Sequence, residues 1–142
     1  MAETFEDGGI RFRYPENWEL DRQDEEHGWT VTLQSPGTAF AIVNFRDDMP
    51  TTEEMADTAL EALREDYPEL EAEERIESLG GQMAVGHDIR FFSLDLTNTC
   101  WTRCFYSPAG TILVLCQTSD LDEDMGVPVL RAICASLEIE AE

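Results

Sequence analysis

Thiols, imidazoles and carboxylates are the reactive side chains of this 142-residue sequence, and their spacing decides which of them can act together. Cys100 and Cys104 form the most suggestive pair, since neighbouring thiols can bind zinc or join in a disulfide. Both lie in a stretch whose alternating pattern predicts a β-strand. Residues four positions apart on a strand share a face but lie roughly 13 Å apart, at ~3.3 Å per residue. The pair can therefore neither form a disulfide nor chelate one zinc ion.

Additional ligands or partners for these thiols would have to come from neighbouring strands. A metal site would need Cys116 or His87, and a disulfide from Cys116 to the strand of Cys100 and Cys104 also stays open, because the pairing register cannot be read from the sequence. We favour a simpler interpretation, in which all four cysteines, including Cys134, are reduced thiols packed in the core. They lie in apolar or strand-like stretches, which is typical of buried thiols.

His87 and Asp88 do not form a catalytic relay. They are adjacent on a predicted strand, so their side chains point to opposite faces. A nucleophile such as Ser93 or Cys100 meets His87 only if strand pairing happens to bring them together. We therefore expect no enzyme, no catalytic residue and no cofactor. The alternative that we keep is a small metal-binding or hydrolytic protein that uses His87 and the cysteines.

Three carboxylates near the C-terminus partly match a calcium-binding loop. Asp120, Asp122 and Asp124 alternate as such a loop requires, but Gly126 comes one position too late. The twelfth position, where the loop needs a glutamate, is Arg131. We interpret the aspartates as an acidic cap of a helix, because negative charge stabilises a helix N-terminus.

Trp101, Arg103 and Phe105 share one face of a predicted strand and are our candidate binding residues. If that face is open, it is an aromatic and arginine patch of the kind enriched in protein interfaces. If a helix covers it, Trp101 and Phe105 belong to the core and Arg103 extends toward the edge. We favour the covered alternative, because the adjacent strands are apolar on both sides.

The charge of the chain is its most unusual bulk property. Its 31 acidic residues outnumber nine basic ones, all of them arginine, and the net charge is −22. Such a surface repels phosphate backbones and anionic lipid headgroups, so we expect no nucleic-acid partner and no attraction to anionic membranes. Two explanations of the acidity stay open: a partner with a basic face, or a solvated shell that keeps the protein soluble. We favour the shell.

No stretch is apolar for long enough to insert into a membrane. The longest, Thr111–Cys116, has six residues against the ~20 that a bilayer requires. Residues 1–9 have neither a positively charged region nor an apolar core, so no signal peptide is predicted. We therefore expect a cytoplasmic protein without membrane insertion.

The elements that position these residues are mostly strands. Alternating or continuous apolar patterns predict strands at residues 10–14, 18–20, 29–34, 39–45, 70–79, 83–96, 98–106 and 111–118. We expect 10–14 and 18–20 to pair, 70–79 to be an edge strand, residues 21–27 to be an exposed loop, and a turn to lie near Thr97 and Asn98. Gly80 and Gly81 predict a tight hairpin.

Two helices complete the pattern. Thr51 and Glu54 form a capping box, and the helix that it begins ends at Pro68. A second helix occupies 125–137, with Pro128 in its first turn. Strands, helix, strands and helix predict an α+β fold, a twisted antiparallel β-sheet with two main helices packed on it, in a single domain over residues 1–142.

The opening segment Gly9–Trp18, and within it the motif Tyr14-Pro15-x-x-Trp18, resembles the start of the PsbP/DcrB-like superfamily. The closing helix running into Ser136–Ile139 resembles its end. This resemblance implies a PsbP-like α/β/α sandwich. It also implies a binding protein, since the superfamily includes a photosystem subunit, a nuclear-import factor that binds a small GTPase, and Eag-type chaperones of secretion effectors.

On that basis we expect a non-enzymatic protein-binding or adaptor/chaperone-like domain with a protein partner that the sequence does not identify. The resemblance carries no catalytic residue over to this chain. A stand-alone structural domain is a further possibility, and the oligomeric state stays open.

Overall fold

The computed structural model describes residues 2–140, and strands account for most of it. In chain order the strands are β1 (Ala2–Asp7), β2 (Ile10–Pro15), β3 (Glu19–Glu25), β4 (Gly28–Gln34), β5 (Phe40–Arg46), β6 (Glu71–Leu79), β7 (Gln82–Ser93), β8 (Leu96–Tyr106), β9 (Thr111–Ser119) and β10 (Glu138–Ile139). The helices are α1 (Thr52–Asp66) and α2 (Glu123–Ala135).

Seven of these strands form the main sheet, in the spatial order β3-β4-β5-β9-β8-β7-β6, and every neighbouring pair is antiparallel. The remaining strands form a small sheet in the order β1-β2-β10. Helix α1 packs on one face of the main sheet, while α2 and the small sheet cover the other. The predicted α+β class, an antiparallel sheet carrying two helices, is confirmed.

Helix α1 begins as the sequence predicts. The Thr51 hydroxyl accepts a hydrogen bond from the Glu54 N–H at 3.1 Å, and the Thr51 N–H donates back to the Glu54 carboxylate at 3.4 Å. The helix ends before Pro68, and its apolar face, which includes Met55 and Ala56, packs on β7, β8 and β9. This helix therefore closes the α1 face of the sheet.

Helix α2 differs from the prediction at its start. It begins at Glu123, so Pro128 lies in the second turn rather than the first. Asp122 is the N-cap residue, but its side chain makes no cap hydrogen bond. Its carboxylate instead accepts from the Thr38 N–H at 2.9 Å and from the Thr38 hydroxyl. These hydrogen bonds lower the pKa of Asp122 and join the start of α2 to the segment before β5.

The edges of the main sheet show where polar patterning misleads. The predicted loop at 21–27 is wrong for most of its length, because β3 runs through Glu25 as a polar, exposed edge strand. The pairing predicted for 10–14 with 18–20 is also wrong, since β2 pairs with β1 and β3 pairs with β4. The edge position predicted for 70–79 is confirmed by β6.

The hairpin between β7 and β8 turns earlier than the sequence predicts. Its turn lies at Leu94 and Asp95, whose φ angles are 53° and 63°, and not near Thr97 and Asn98. Asp tolerates this left-handed region, whereas Leu adopts it rarely. Because Leu is not a typical turn residue, the sequence did not predict a turn at Leu94 and Asp95.

Neither helix in residues 2–140 has both the length and the apolar character that a membrane crossing demands.

Candidate functional site

The face that carries Trp101, Arg103 and Phe105 is covered, and α2 forms part of the cover. This agrees with the alternative that the sequence favours, in which the face is not open to solvent. Phe105 has no exposed surface and belongs to the core between the main sheet and the layer that α2 and the small sheet form. Trp101 is also buried. Arg103 extends toward the edge strand β6 as expected, but its side chain stays 6% exposed and does not reach open solvent.

The buried guanidinium of Arg103 is held by carboxylates from two adjacent strands. Its Nε donates to Glu77 of β6 at 2.6 Å, and its Nη2 donates to Asp88 of β7 at 2.9 Å. The other Asp88 oxygen accepts from Arg75 at 2.9 Å. Burial alone would raise the pKa of Asp88, but the hydrogen bonds from Arg103 and Arg75 outweigh it and hold the pKa below its usual value. A buried cation needs such partners, because leaving it alone costs several kcal/mol.

A glycine opposite Arg103 makes room for this arrangement. Gly86 pairs with Arg103 across β7 and β8, and a Cβ at Gly86 would lie 1.8 Å from the Thr102 carbonyl oxygen. That oxygen accepts a hydrogen bond from Arg103 Nη1 at 2.8 Å. The close approach of the two strands therefore requires glycine at this position.

A groove lies between α2 and the α2-facing side of β6, β7 and β8, and we call it the α2 groove. It consists of two hollows of about 470 Å³ and 160 Å³, and Trp101 and Arg131 line both. The Arg131 guanidinium carbon lies 4.9 Å from the Trp101 ring centroid, which is a cation–π contact. Trp101 thus forms part of the groove's floor although little of its surface is exposed.

The charge of the α2 groove differs from that of the whole chain, whose net charge is −22. Four basic and four acidic side chains line it. The basic ones are Arg75, Arg90, Arg103 and Arg131, and the acidic ones are Glu71, Glu73, Glu77 and Asp88. Arginines are thus concentrated in the α2 groove, whereas the chain as a whole is strongly acidic.

The cysteines separate onto the two faces of the main sheet. Cys100 and Cys104 lie on the α1 face, where burial raises the pKa of each thiol to about 12. Cys116 pairs with Trp101 in register and lies on the opposite face. The possibility of a disulfide from Cys116 to Cys100 or Cys104 is therefore excluded. Cys116 instead contacts Cys134 of α2, with 3.8 Å between the sulfurs.

The Cys116–Cys134 contact is a feature that sequence reasoning missed. The residues are 18 positions apart, one on a strand and one on a helix, so no motif spacing relates them. The helical phase of Cys134 is the one indication, because it follows Leu130 by four positions and that residue is buried on the same helix.

His87 and Asp88 lie on opposite faces of β7, as predicted. His87 pairs with Thr102 on the α1 face, and its Nδ1 is buried without a hydrogen-bond partner. Cys100 pairs with Ile89, one position further along the same face of β7 than His87. Among residues 2–140, no three His, Cys, Asp or Glu side chains converge as a metal ion would require.

A hollow larger than either part of the α2 groove lies elsewhere, between the small sheet and one end of the main sheet. It has about 1050 Å³ and is lined by the Gly8–Gly9 turn, Ala109, and the segment from Leu137 to Glu140. Several carboxylates line it, and its arginine, Arg11, is bound to Glu138. The α2 groove has the convergent side chains that a specific site needs, so we place the candidate site there.

Comparison with known proteins identifies the fold. No protein-family model matches the sequence, and a search of curated proteins finds no match. Solved structures do match. The cyanobacterial PsbP (CyanoP) of Synechocystis sp. PCC 6803 superposes with a TM-score of 0.63 at 13% identity, over 97% of this chain and 92% of that one. LpqN of Mycobacterium tuberculosis, involved in cell envelope biogenesis, superposes with a TM-score of 0.62 at 15% identity, over 99% of this chain and 91% of its own.

A protein from Bacteroides thetaiotaomicron gives a TM-score of 0.64 at 14% identity, over 99% of this chain. This chain covers 49% of that structure and so spans about half of its length. The chain has the PsbP/DcrB-like fold, so the fold implied by the motif of Tyr14-Pro15 and Trp18 is confirmed. At these identities the likeness concerns the fold alone.

Proposed function

We propose that this chain is a non-enzymatic protein-binding domain that takes up an extended basic segment of a partner along the free edge of β6. The observation that carries the proposal is the state of this strand. Within residues 2–140, β6 ends the main sheet, and every one of its residues except Leu79 is exposed. An added strand would obtain main-chain hydrogen bonds from such an edge and specificity from the flanking side chains.

The two flanks of β6 differ, and this difference defines the partner's chemistry. On the side of the α2 groove, β6 presents three acidic residues, Glu71, Glu73 and Glu77, against one basic residue, Arg75, which pairs with Glu73 and with Asp88 of β7. On the α1 side, Ile76 and the adjacent Met83 of β7 are each 70% exposed. Because side chains alternate along a strand, the matching segment places Lys or Arg toward the groove and apolar residues toward Ile76 and Met83.

The other edge of the main sheet fits such a partner less well. Strand β3 carries acidic residues, but its one apolar residue, Leu20, packs against the core instead of standing exposed. Its Arg22 lies over Trp29 at 5.5 Å and forms an ion pair with Asp7 at 2.7 Å. An edge without an exposed apolar flank offers charge but little else, so we assign binding to β6.

The proposal includes no catalytic role and a cytoplasmic location. The charged groups nearest the groove floor hold one another: Arg103 is bound to Glu77 and Asp88, and Asp88 to Arg75. Because these groups are already paired with one another, we assign them a structural role in the groove and not a catalytic one. A cytoplasmic location is favoured by four cysteines that are all unpaired thiols.

The test uses synthetic nine-residue peptides that alternate Arg and Val, the acidic counterpart with Glu and Val, and a peptide of the same Arg/Val composition in two blocks. Fluorescence anisotropy measures their binding, and hydrogen exchange locates it. We expect the alternating basic peptide to bind best and to slow amide exchange in residues 71–79.

Matched variants separate strand addition from general attraction to an acidic surface. The variant Glu73→Gln with Ile76→Ser should weaken binding by about tenfold or more, since it removes a charge contact and an apolar contact. The control, Glu19→Gln with Asp21→Asn in β3, should change it little. Equal binding of the block peptide, or exchange protection that does not lie in β6, would contradict the proposal.

A further inference from the structure

Two thiols meet where α2 crosses β9. The sulfur of Cys116 lies 3.8 Å from the sulfur of Cys134. Cys116 has no exposed surface, whereas Cys134 is partly exposed and lines the smaller hollow of the α2 groove. One thiol is therefore reachable from solvent, and the second lies directly behind it.

The surroundings of Cys134 favour its thiolate. The Cys116 thiol lies within hydrogen-bond distance of the Cys134 sulfur, and the Trp101 indole and the Arg103 guanidinium also favour a negative charge on it. Together they lower the pKa of Cys134, although burial and Glu77 act in the opposite direction. Cys100 and Cys104, on the other face of the sheet, have no such neighbours and keep raised pKa values.

We propose that Cys134 is an oxidation site for hydrogen peroxide and that Cys116 resolves the product into a disulfide that joins α2 to β9. The hollow of about 160 Å³ in front of Cys134 suits a small oxidant better than a bulky disulfide such as oxidised glutathione. The sulfurs must approach from 3.8 Å to the bond length of about 2.05 Å, which side-chain rotation and a small shift of α2 can supply. This inference does not depend on partner binding at β6.

The reaction balances in two steps. The Cys134 thiolate attacks one peroxide oxygen, the O–O bond breaks, and the departing hydroxide takes a proton and leaves as water, so that Cys134 becomes a sulfenic acid. Cys116 then loses its proton, its sulfur attacks the Cys134 sulfur, and the S–O bond breaks with release of a second water. In sum, two thiols and one peroxide give one disulfide and two waters.

Peptide mass spectrometry tests the proposal on the folded chain. The protein is treated with hydrogen peroxide, unfolded, alkylated with iodoacetamide and cut with trypsin, which separates Cys134 from Cys116 by cleaving after Arg131. We expect a cross-link between Cys116 and Cys134, while Cys100 and Cys104 carry the alkyl label. Dithiothreitol should reverse the cross-link.

Two variants and a rate measurement make the test decisive. In Cys116→Ser, peroxide should leave a sulfenic acid on Cys134 that dimedone traps, and in Cys134→Ser no cross-link should form. In the wild-type protein, which avoids any folding defect of the variants, native alkylation should modify Cys134 at least about tenfold faster than Cys100. The proposal is overturned if peroxide oxidises Cys100 or Cys104 as fast as Cys134, or if the cross-link forms equally fast in urea-unfolded protein.

Discussion

The ion-pair cluster around Arg103 makes an asymmetric prediction about stability. Its cation is buried, with 6% of the side chain exposed, while its carboxylates on Glu77 and Asp88 are 47% and 41% exposed. Removing the cation leaves carboxylates that water can solvate, and Asp88 keeps Arg75 as a partner. Removing both carboxylates instead leaves a buried charge without an anion. The second change should therefore cost more: both changes break the pairs of Arg103, and the second also breaks the exposed pair of Arg75 with Asp88.

The magnitudes follow from these exposures. Arg103→Met keeps the alkyl packing and should lower the free energy of unfolding by about 1–2 kcal/mol, the scale of the lost hydrogen bonds. Glu77→Gln combined with Asp88→Asn should lower it by about 3–5 kcal/mol, the cost of an uncompensated buried charge. Urea unfolding followed by tryptophan fluorescence at pH 7 measures both values.

A surface pair provides the control for this comparison. Arg46 and Asp48 are 40% and 35% exposed, so Asp48→Asn should change the free energy of unfolding less than either change in the cluster. If Arg103→Met destabilises the protein as much as the double carboxylate variant, the reasoning from burial is refuted. The same holds if the double variant behaves like the surface control.

The cluster also predicts a pH dependence. The pKa of Asp88 is lower in the folded chain than the value of about 3.9 expected in the unfolded chain. Its contribution to stability is therefore present in full above the unfolded value and is lost as the pH falls through the folded pKa. Asp88→Asn should flatten this part of the acid-unfolding curve, and an unchanged curve would contradict the assigned pairing.

Two further variants, each with a control variant, test the close contact of β7 with β8 and the cap of α1. Gly86→Ala would place a Cβ 1.8 Å from the Thr102 carbonyl oxygen and should destabilise the protein by roughly 1–3 kcal/mol or more, as measured by thermal unfolding. In the control, Gly81→Ala, the added Cβ meets no atom within 4 Å, so this variant tests backbone strain alone. A cost at Gly86 no larger than that at Gly81 would argue against the close strand contact. Thr51→Ala should cost about 1 kcal/mol by urea unfolding, while Thr58→Ala, exposed within α1, should be neutral or slightly stabilising; equal effects would refute the cap.

Local patterns in the sequence were sufficient for much of the fold. The alternation of Trp29, Val31 and Leu33 with polar residues is a strand by itself, because successive side chains of a strand face opposite sides. The capping box of Thr51 and Glu54 likewise needs only neighbours in the chain. Strand β3 failed the same test, since an edge strand with polar side chains on both faces carries no periodic apolar pattern.

The candidate site required information that no local pattern contains. Cys134 meets Cys116 only because α2 docks on the face of β9 where Cys116 lies, and Arg103 meets Asp88 and Glu77 only through the registers of β6, β7 and β8. A shift of one residue in any of these registers would turn the partners to the opposite face. The sequence by itself determined the acidity, the fold class, and the order of the two helices and most of the strands, because those depend on composition and local periodicity; it did not predict β1 or β10. Tertiary structure alone decided which thiol faces the groove and which arginine is buried, because these depend on strand register and helix docking between distant segments.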